Sequence, residues 1–166
     1  LCSFDTWGAG IAARRLHEAM LAEEIDSRLV VRLQHTSAPG VSRLTESEHA
    51  FRRQKWFLAL FDNLMFHTRY YVYSAFSTRN PRFIDEVCRL AADADVIVLH
   101  WVSYFLSVAD IAEIAERVDA DIVWYALDMS PFTGGCHYSW GCEEYRNGCE
   151  TCPAVRFGLA ASTIRS

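Results

Sequence analysis

Apolar positions recur along this chain with two alternating periods. Ile11, Ala12, Leu16, Ala19 and Met20 fall at helical spacing over 11–24, and the β-branched run at 27–33 follows as a strand. Asn80 and Pro81 open a second helical pattern ending near Ala92, and Val96, Ile97, Val98 and Leu99 then form a wholly apolar, buried-strand run. Residues 107–117 put Val108, Ile111, Ile114 and Ala115 on one helical face, and Ile122 to Ala126 reads as the next strand. Strands alternating with helices predict an α/β fold, a Rossmann-like parallel sheet with helices on both faces. From Asp128 to about Pro153 the pattern lapses into turns.

A third helical stripe is unusually aromatic. Trp56, Phe57, Leu60, Phe61, Leu64 and Met65 share a face, with Arg52, Arg53 and Lys55 before them and Phe66, Tyr70, Tyr71, Tyr73 and Phe76 after. The general tendency of amphipathic helices predicts that this face packs inward as core. Basic residues at its start leave a second use open, contact with a membrane surface or an acceptor-binding wall.

Size and charge narrow the function classes. The 166 residues, half of them hydrophobic, predict one domain over 1–166 with a Cys-rich loop at 128–153. A formal charge of −5 gives no basic face for a phosphate backbone, so nucleic acid is not expected as a partner. No apolar run approaches the roughly 20 residues of a membrane-spanning helix. The opening Leu1-Cys-Ser-Phe4 reads as the tail of a strand, so a fragment of a longer protein is expected.

Candidate chemistry gathers where strands end. Gly8-Ala-Gly10-Ile-Ala-Ala13 matches G-x-G-x-x-G/A at a strand-to-helix turn, where small residues let a helix N-terminus approach a phosphate. On that reading a bulkier residue at Gly10 blocks the phosphate and leaves the fold intact. A dinucleotide enzyme places an acidic residue about 20 positions on. Arg32 and Gln34 stand there, which disfavours NAD and leaves an NADP oxidoreductase as a minor alternative. His100 and Asp128 follow strands and are candidate catalytic residues; each could equally be a turn or cap residue. No G-x-S-x-G nucleophile motif accompanies them. Cys136, Cys142, Cys149 and Cys152 supply four soft ligands within 17 residues, enough to close a tetrahedral zinc shell, with His137 as a spare. Two disulfides, a redox pair and an iron–sulfur centre remain open alternatives. Cys2 and Cys88 are expected to be buried free thiols.

The stretch 124–138, Trp-Tyr-Ala-Leu-Asp-Met-Ser-Pro-Phe-Thr-Gly-Gly-Cys-His-Tyr, then Gly141-Cys-Glu-Glu-Tyr145 and Asn147-Gly-Cys-Glu-Thr-Cys-Pro153, resembles the signature of family 4 glycosyltransferases that build bacterial surface polysaccharides, including the colanic acid type. The resemblance reaches back through 95–101, 105–111, 12–19 and 26–28, and thins between about Gln34 and Arg82. It implies the N-terminal, acceptor-side half of a GT-B glycosyltransferase, whose donor-binding C-terminal Rossmann domain is absent from these residues. It further implies a nucleotide-sugar donor, a glycan or lipid-linked acceptor, and contact of Gly8, Gly10 and Arg14 with the donor phosphates. Any zinc would be structural, and the expected location is the cytoplasm, with peripheral contact at the inner face of the cell membrane left open. The family reads T-L-H-D-M where this chain reads Tyr125-Ala-Leu-Asp-Met129, so Leu127 occupies the place of a histidine that faces the donor sugar. Either Asp128 and His100 carry the polar contacts or the domain has lost transfer, which keeps a non-catalytic glycan-binding module as the alternative.

Overall fold

Parallel strands with short β-branched cores organise the first part of the molecule. A computed structural model describes residues 1–45, 48–66, 81–133, 136–149 and 151–155, apart from the side chains of Glu48 and Asp62. The elements are β1 (Cys2–Phe4), α1 (Trp7–Ala22), β2 (Leu29–Leu33), β3 (Val41–Arg43), α2 (Glu48–Met65), α3 (Pro81–Leu90), β4 (Val96–Leu99), α4 (Val108–Arg117) and β5 (Asp121–Trp124). Two 3-10 turns follow, at Ser130–Phe132 and Glu144–Asn147. The chain divides into two compact units: Leu1–Glu48 with Thr78–Leu127, and His49–Ser77 with Asp128–Ser166.

The first unit is the α/β domain. β1 pairs with β2 and β2 with β3, all parallel, while β4 pairs with β5 in a second parallel ladder. Backbone bonds join the ladders: the Leu1 ammonium donates to the Val98 carbonyl (2.6 Å), the His100 amide to Leu1 (3.0 Å) and the Ser3 amide to Trp101 (2.8 Å). The strands therefore lie in the order β3-β2-β1-β4-β5, the order of a doubly wound half-domain. The architecture is α/β with a small parallel sheet, compatible with a Rossmann-like domain.

Alternation along β2 loads both faces. Val30, with Ile97 and Leu99 of β4, packs under Phe83, Ile84 and Val87 of α3 and Ile114 of α4. Leu29 and Val31 turn to the other face, with Cys2 and Ala13 of α1. Each large side chain fully buried this way contributes about 1.5–3 kcal/mol. α4 opens on a capping box, in which Ser107 Oγ accepts from the Asp110 amide and the Asp110 carboxylate accepts from the Ser107 amide.

Three expectations change. The buried stripe of α1 is Gly10, Ala13 and His17, whereas Ile11 is exposed. At Gly10 the helix lies too close to β1 for a side chain, and further along the stripe His17 is satisfied by Ser27 Oγ (2.9 Å) and the Pro39 carbonyl (3.1 Å). In α2, Trp56, Phe57, Leu60 and Leu64 are exposed among the described residues, while Phe51 and Leu58 are buried. The aromatic stripe is therefore not core there; its continuation at Tyr70, Tyr71, Tyr73 and Phe76 lies outside the described residues. β3 was not legible in the sequence, since it is a three-residue edge strand entered through Gly40 at φ +69°. A Cβ at Gly40 would also meet the His17 ring at 2.5 Å.

Candidate functional site

The strand order reverses between β1 and β4, and ligands of open parallel sheets bind outside the carboxyl ends of strands at such a point. Three chain segments meet at this edge: 5–8 after β1, 34–36 after β2 and 100–104 after β4. Asp5, fully buried, fixes two of them together. Its Oδ1 accepts from the His35 amide (2.7 Å), and its Oδ2 accepts from the Thr36 amide (2.7 Å) and hydroxyl (2.5 Å). Burial pushes the Asp5 carboxyl up, but the Thr36 hydroxyl and the two amides outweigh it, so its pKa lies below the ordinary carboxylate value.

Aromatic rings line the same edge. Phe4 meets Trp7 edge-on at 4.9 Å and Trp101 at 5.7 Å, and Trp7 stands 6.3 Å from His35. Trp7 is 63% exposed and holds φ +60°, an uncommon conformation for so bulky a residue and one that accompanies functional sites. The start of α1 behind it has no acidic residue in its first turn, and Thr6 makes no side-chain cap. That leaves the helix's first amides without the usual capping oxygen.

The glycines of this turn have different jobs. A Cβ on Gly10 would stand 2.5 Å from the Phe4 carbonyl oxygen and 2.7 Å from the Asp5 carbonyl carbon, whereas one on Gly8 would meet nothing within 4 Å. Gly10 therefore seats α1 on β1, and the expectation that its replacement leaves the fold intact is corrected. Arg14, one turn further along α1, is half-buried, and its Nε has no hydrogen-bond partner among the described residues.

His100 stands at the end of β4, as the sequence predicts, but it is only 6% exposed and lies 5.4 Å from the Tyr125 ring. Burial is the main cause that lowers its pKa to about 4, so it is neutral at physiological pH. Arg32 is buried with its guanidinium 4.9 Å from the centre of the Phe83 ring, on the face covered by α3. The residue on which an NADP reading depended is thus part of the core. A cavity of about 380 Å³ opens beside Leu1, His17, Leu29, Val96 and His100.

Asp128 belongs to the second unit, whereas His100 belongs to the first. Its carboxylate is nearly buried. Oδ1 accepts from the Ser130 amide (2.9 Å) and hydroxyl (2.5 Å), and Oδ2 lies 2.9 Å from His137 Nδ1. His137, read from the sequence as a spare metal ligand, instead commits this nitrogen to Asp128. Leu127 is 39% exposed at the end of the first unit.

Cys136, Cys142, Cys149 and Cys152 line one cavity in the second unit, together with Tyr145 and Ala154. All four are free thiols, as are the buried Cys2 and Cys88. Burial, and then Cys152, Cys149 and Cys142, raise the Cys136 pKa to about 11. Burial raises Cys152 too, against backbone amides of Ala154 and Val155 that hydrogen-bond to its sulfur. Among the described residues no group of three or more His, Cys, Asp or Glu is already arranged to hold a metal ion.

Asp5, Trp7, His35 and Trp101 were not singled out as site residues from the sequence. The signal available was positional, a polar or aromatic residue immediately after each apolar strand run.

Among curated proteins the chain is similar to the "Putative colanic acid biosynthesis glycosyl transferase WcaC" of Escherichia coli (strain K12), with 35% identity over 63 residues. That match covers 35% of this chain and 15% of the relative's length. No protein-family model matches the chain, and no solved structure matches it. The resemblance to a glycosyltransferase therefore holds at a coarse level, over part of the chain.

Proposed function

We propose that this chain is the N-terminal, acceptor-side domain of a GT-B glycosyltransferase that moves a sugar from a nucleotide donor to a glycan or lipid-linked acceptor in polysaccharide biosynthesis. The similarity to the glycosyl transferase above carries the reading. The gathering of Asp5, Trp7, His35 and Trp101 at the carboxyl edge of the strands supports it. In this reading the uncapped amides of α1, with Gly8 and Arg14, stabilise the leaving diphosphate, and aromatic side chains such as Trp7 flank the sugar or acceptor. A second Rossmann domain supplies the remaining donor contacts. The exposed Trp56, Phe57, Leu60 and Leu64 behind Arg52, Arg53 and Lys55 suit contact with a membrane carrying a lipid-linked acceptor. No helix among the described residues is long and apolar enough to cross a membrane. The cytoplasmic face of the membrane is the location this reading requires.

The test is sugar transfer by the full-length protein. Gly8→Val should lower turnover about 100-fold, because a side chain there displaces the diphosphate, while the thermal midpoint stays unchanged. Unaltered turnover would remove Gly8 from the donor site. Nucleotide sugar should bind the present chain weakly by calorimetry; tight binding would argue against a two-domain site.

A glycan-binding module without transfer activity is the second reading, favoured by Leu127 at the family's histidine position. Leu127→His, at an exposed position, should change stability by less than about 0.5 kcal/mol. We expect it to raise turnover. If the natural protein already transfers sugar efficiently and the substitution slows it, the non-catalytic reading fails and Leu127 belongs to a different donor pocket.

A further inference from the structure

The segment after β5 has little to hold it. Among the described residues from Asp128 to Val155, regular structure amounts to two 3-10 turns of three and four residues and an isolated bridge from Val155 to Phe66. Among the described residues, its buried apolar cluster is small: Phe66, Ala154 and Val155, with Met65 and Cys152 packed against them. Nevertheless its backbone takes costly conformations at defined places. Trp140 (φ +53°) and Gly141 (φ +80°) immediately precede Cys142, and Gly148 (φ +78°) leads into Cys149, itself at φ +55°. A left-handed conformation at a residue other than glycine costs about 1–2 kcal/mol, so Trp140 and Cys149 require something that over-determines them.

These turns deliver cysteines to a common point. The four thiols line a single cavity of about 20 Å³, room for one atom-sized guest. The cavity lining contains the four cysteines and not His137, so sulfur dominates the chemistry around it.

We propose that Cys136, Cys142, Cys149 and Cys152 bind one zinc ion as a closed four-sulfur structural site that fixes the segment from Asp128 to Val155. The four thiols are not yet gathered around an ion, so binding requires their side chains to turn into the cavity they line. Binding releases four thiol protons to solvent and leaves the zinc oxidation state unchanged, with no fourth position open for catalysis. Drawing four thiolates together without a cation would set like charges against each other; the ion removes that repulsion. The inference is independent of the transferase reading, because a glycan-binding module would need the same ordering.

The experiment is metal analysis of full-length protein purified under oxygen-free, reducing conditions. We expect the combined Cys149→Ser and Cys152→Ser variant to contain about one zinc per chain less than the natural protein. X-ray absorption of the natural chain should give four sulfur neighbours at about 2.3 Å. Should the variant fail to fold, cobalt(II) titration of the metal-stripped natural protein decides: intense tetrahedral thiolate bands saturating at one equivalent are expected. Iron with sulfide in place of zinc, two disulfides linking the four cysteines under these conditions, or no thiolate bands with cobalt would each overturn the proposal.

Discussion

Replacing Asp5 with asparagine is expected to destabilise the first unit by about 3 kcal/mol, because a charged acceptor of three hydrogen bonds becomes an amide that can present only one oxygen. One of the His35 and Thr36 amides then faces an NH2 group inside a fully buried site. Chemical denaturation of natural and substituted chains reads this directly as a shift in midpoint. The pH dependence carries the sign. The folded pKa of Asp5 lies below its unfolded value, so its contribution is complete above about pH 4 and is lost as pH falls through the folded pKa. Below that, the two proteins should converge. A gap that persists undiminished in acid would show that the carboxylate charge is not what holds the 34–36 segment to the end of β1.

Gly10→Ala is expected to cost about 2–3 kcal/mol through overpacking, although alanine is the better helix former. The added carbon would lie 2.5 Å from a backbone oxygen of β1, and neither the strand nor the helix can retreat without opening the face shared by Ala13, Leu29 and Val31. The same substitution at Gly8 meets open space. Thermal unfolding of the pair therefore separates two readings of one motif. A large loss at position 10 alone assigns that glycine to packing; equal tolerance at both would return it to the ligand site.

The glycine motif illustrates how far the sequence reaches. Its spacing located the turn after β1 and the helix behind it, and it could not say which glycine faced the sheet. That depends on the helix's rotation about its own axis, which Gly10, Ala13 and His17 determine by their contacts with β1, Ser27 and Pro39. Periodicity alone selected Ile11 and Leu16 because it weighs hydrophobicity and not the distance between helix and sheet. His100 shows the same gap. Its place at a strand end was legible, while its burial beside Tyr125, and hence its neutrality, follows from the tertiary environment.

Local rules were enough for much of the chain. Continuous apolar or β-branched runs and helical stripes placed β2, β4, β5, α3 and α4 within a few residues, since backbone hydrogen bonding and burial act over short segments. Cysteine spacing identified the four thiols that come to share a cavity. What only the tertiary structure decided is the strand order, the division into two units that groups 49–77 with 128–166, the exposure of the α2 aromatic stripe, and the assembly of Asp5 with His35 and Thr36, thirty residues away in sequence. These depend on which surfaces meet after the elements form, and a pairing between distant segments leaves no periodic trace in either one.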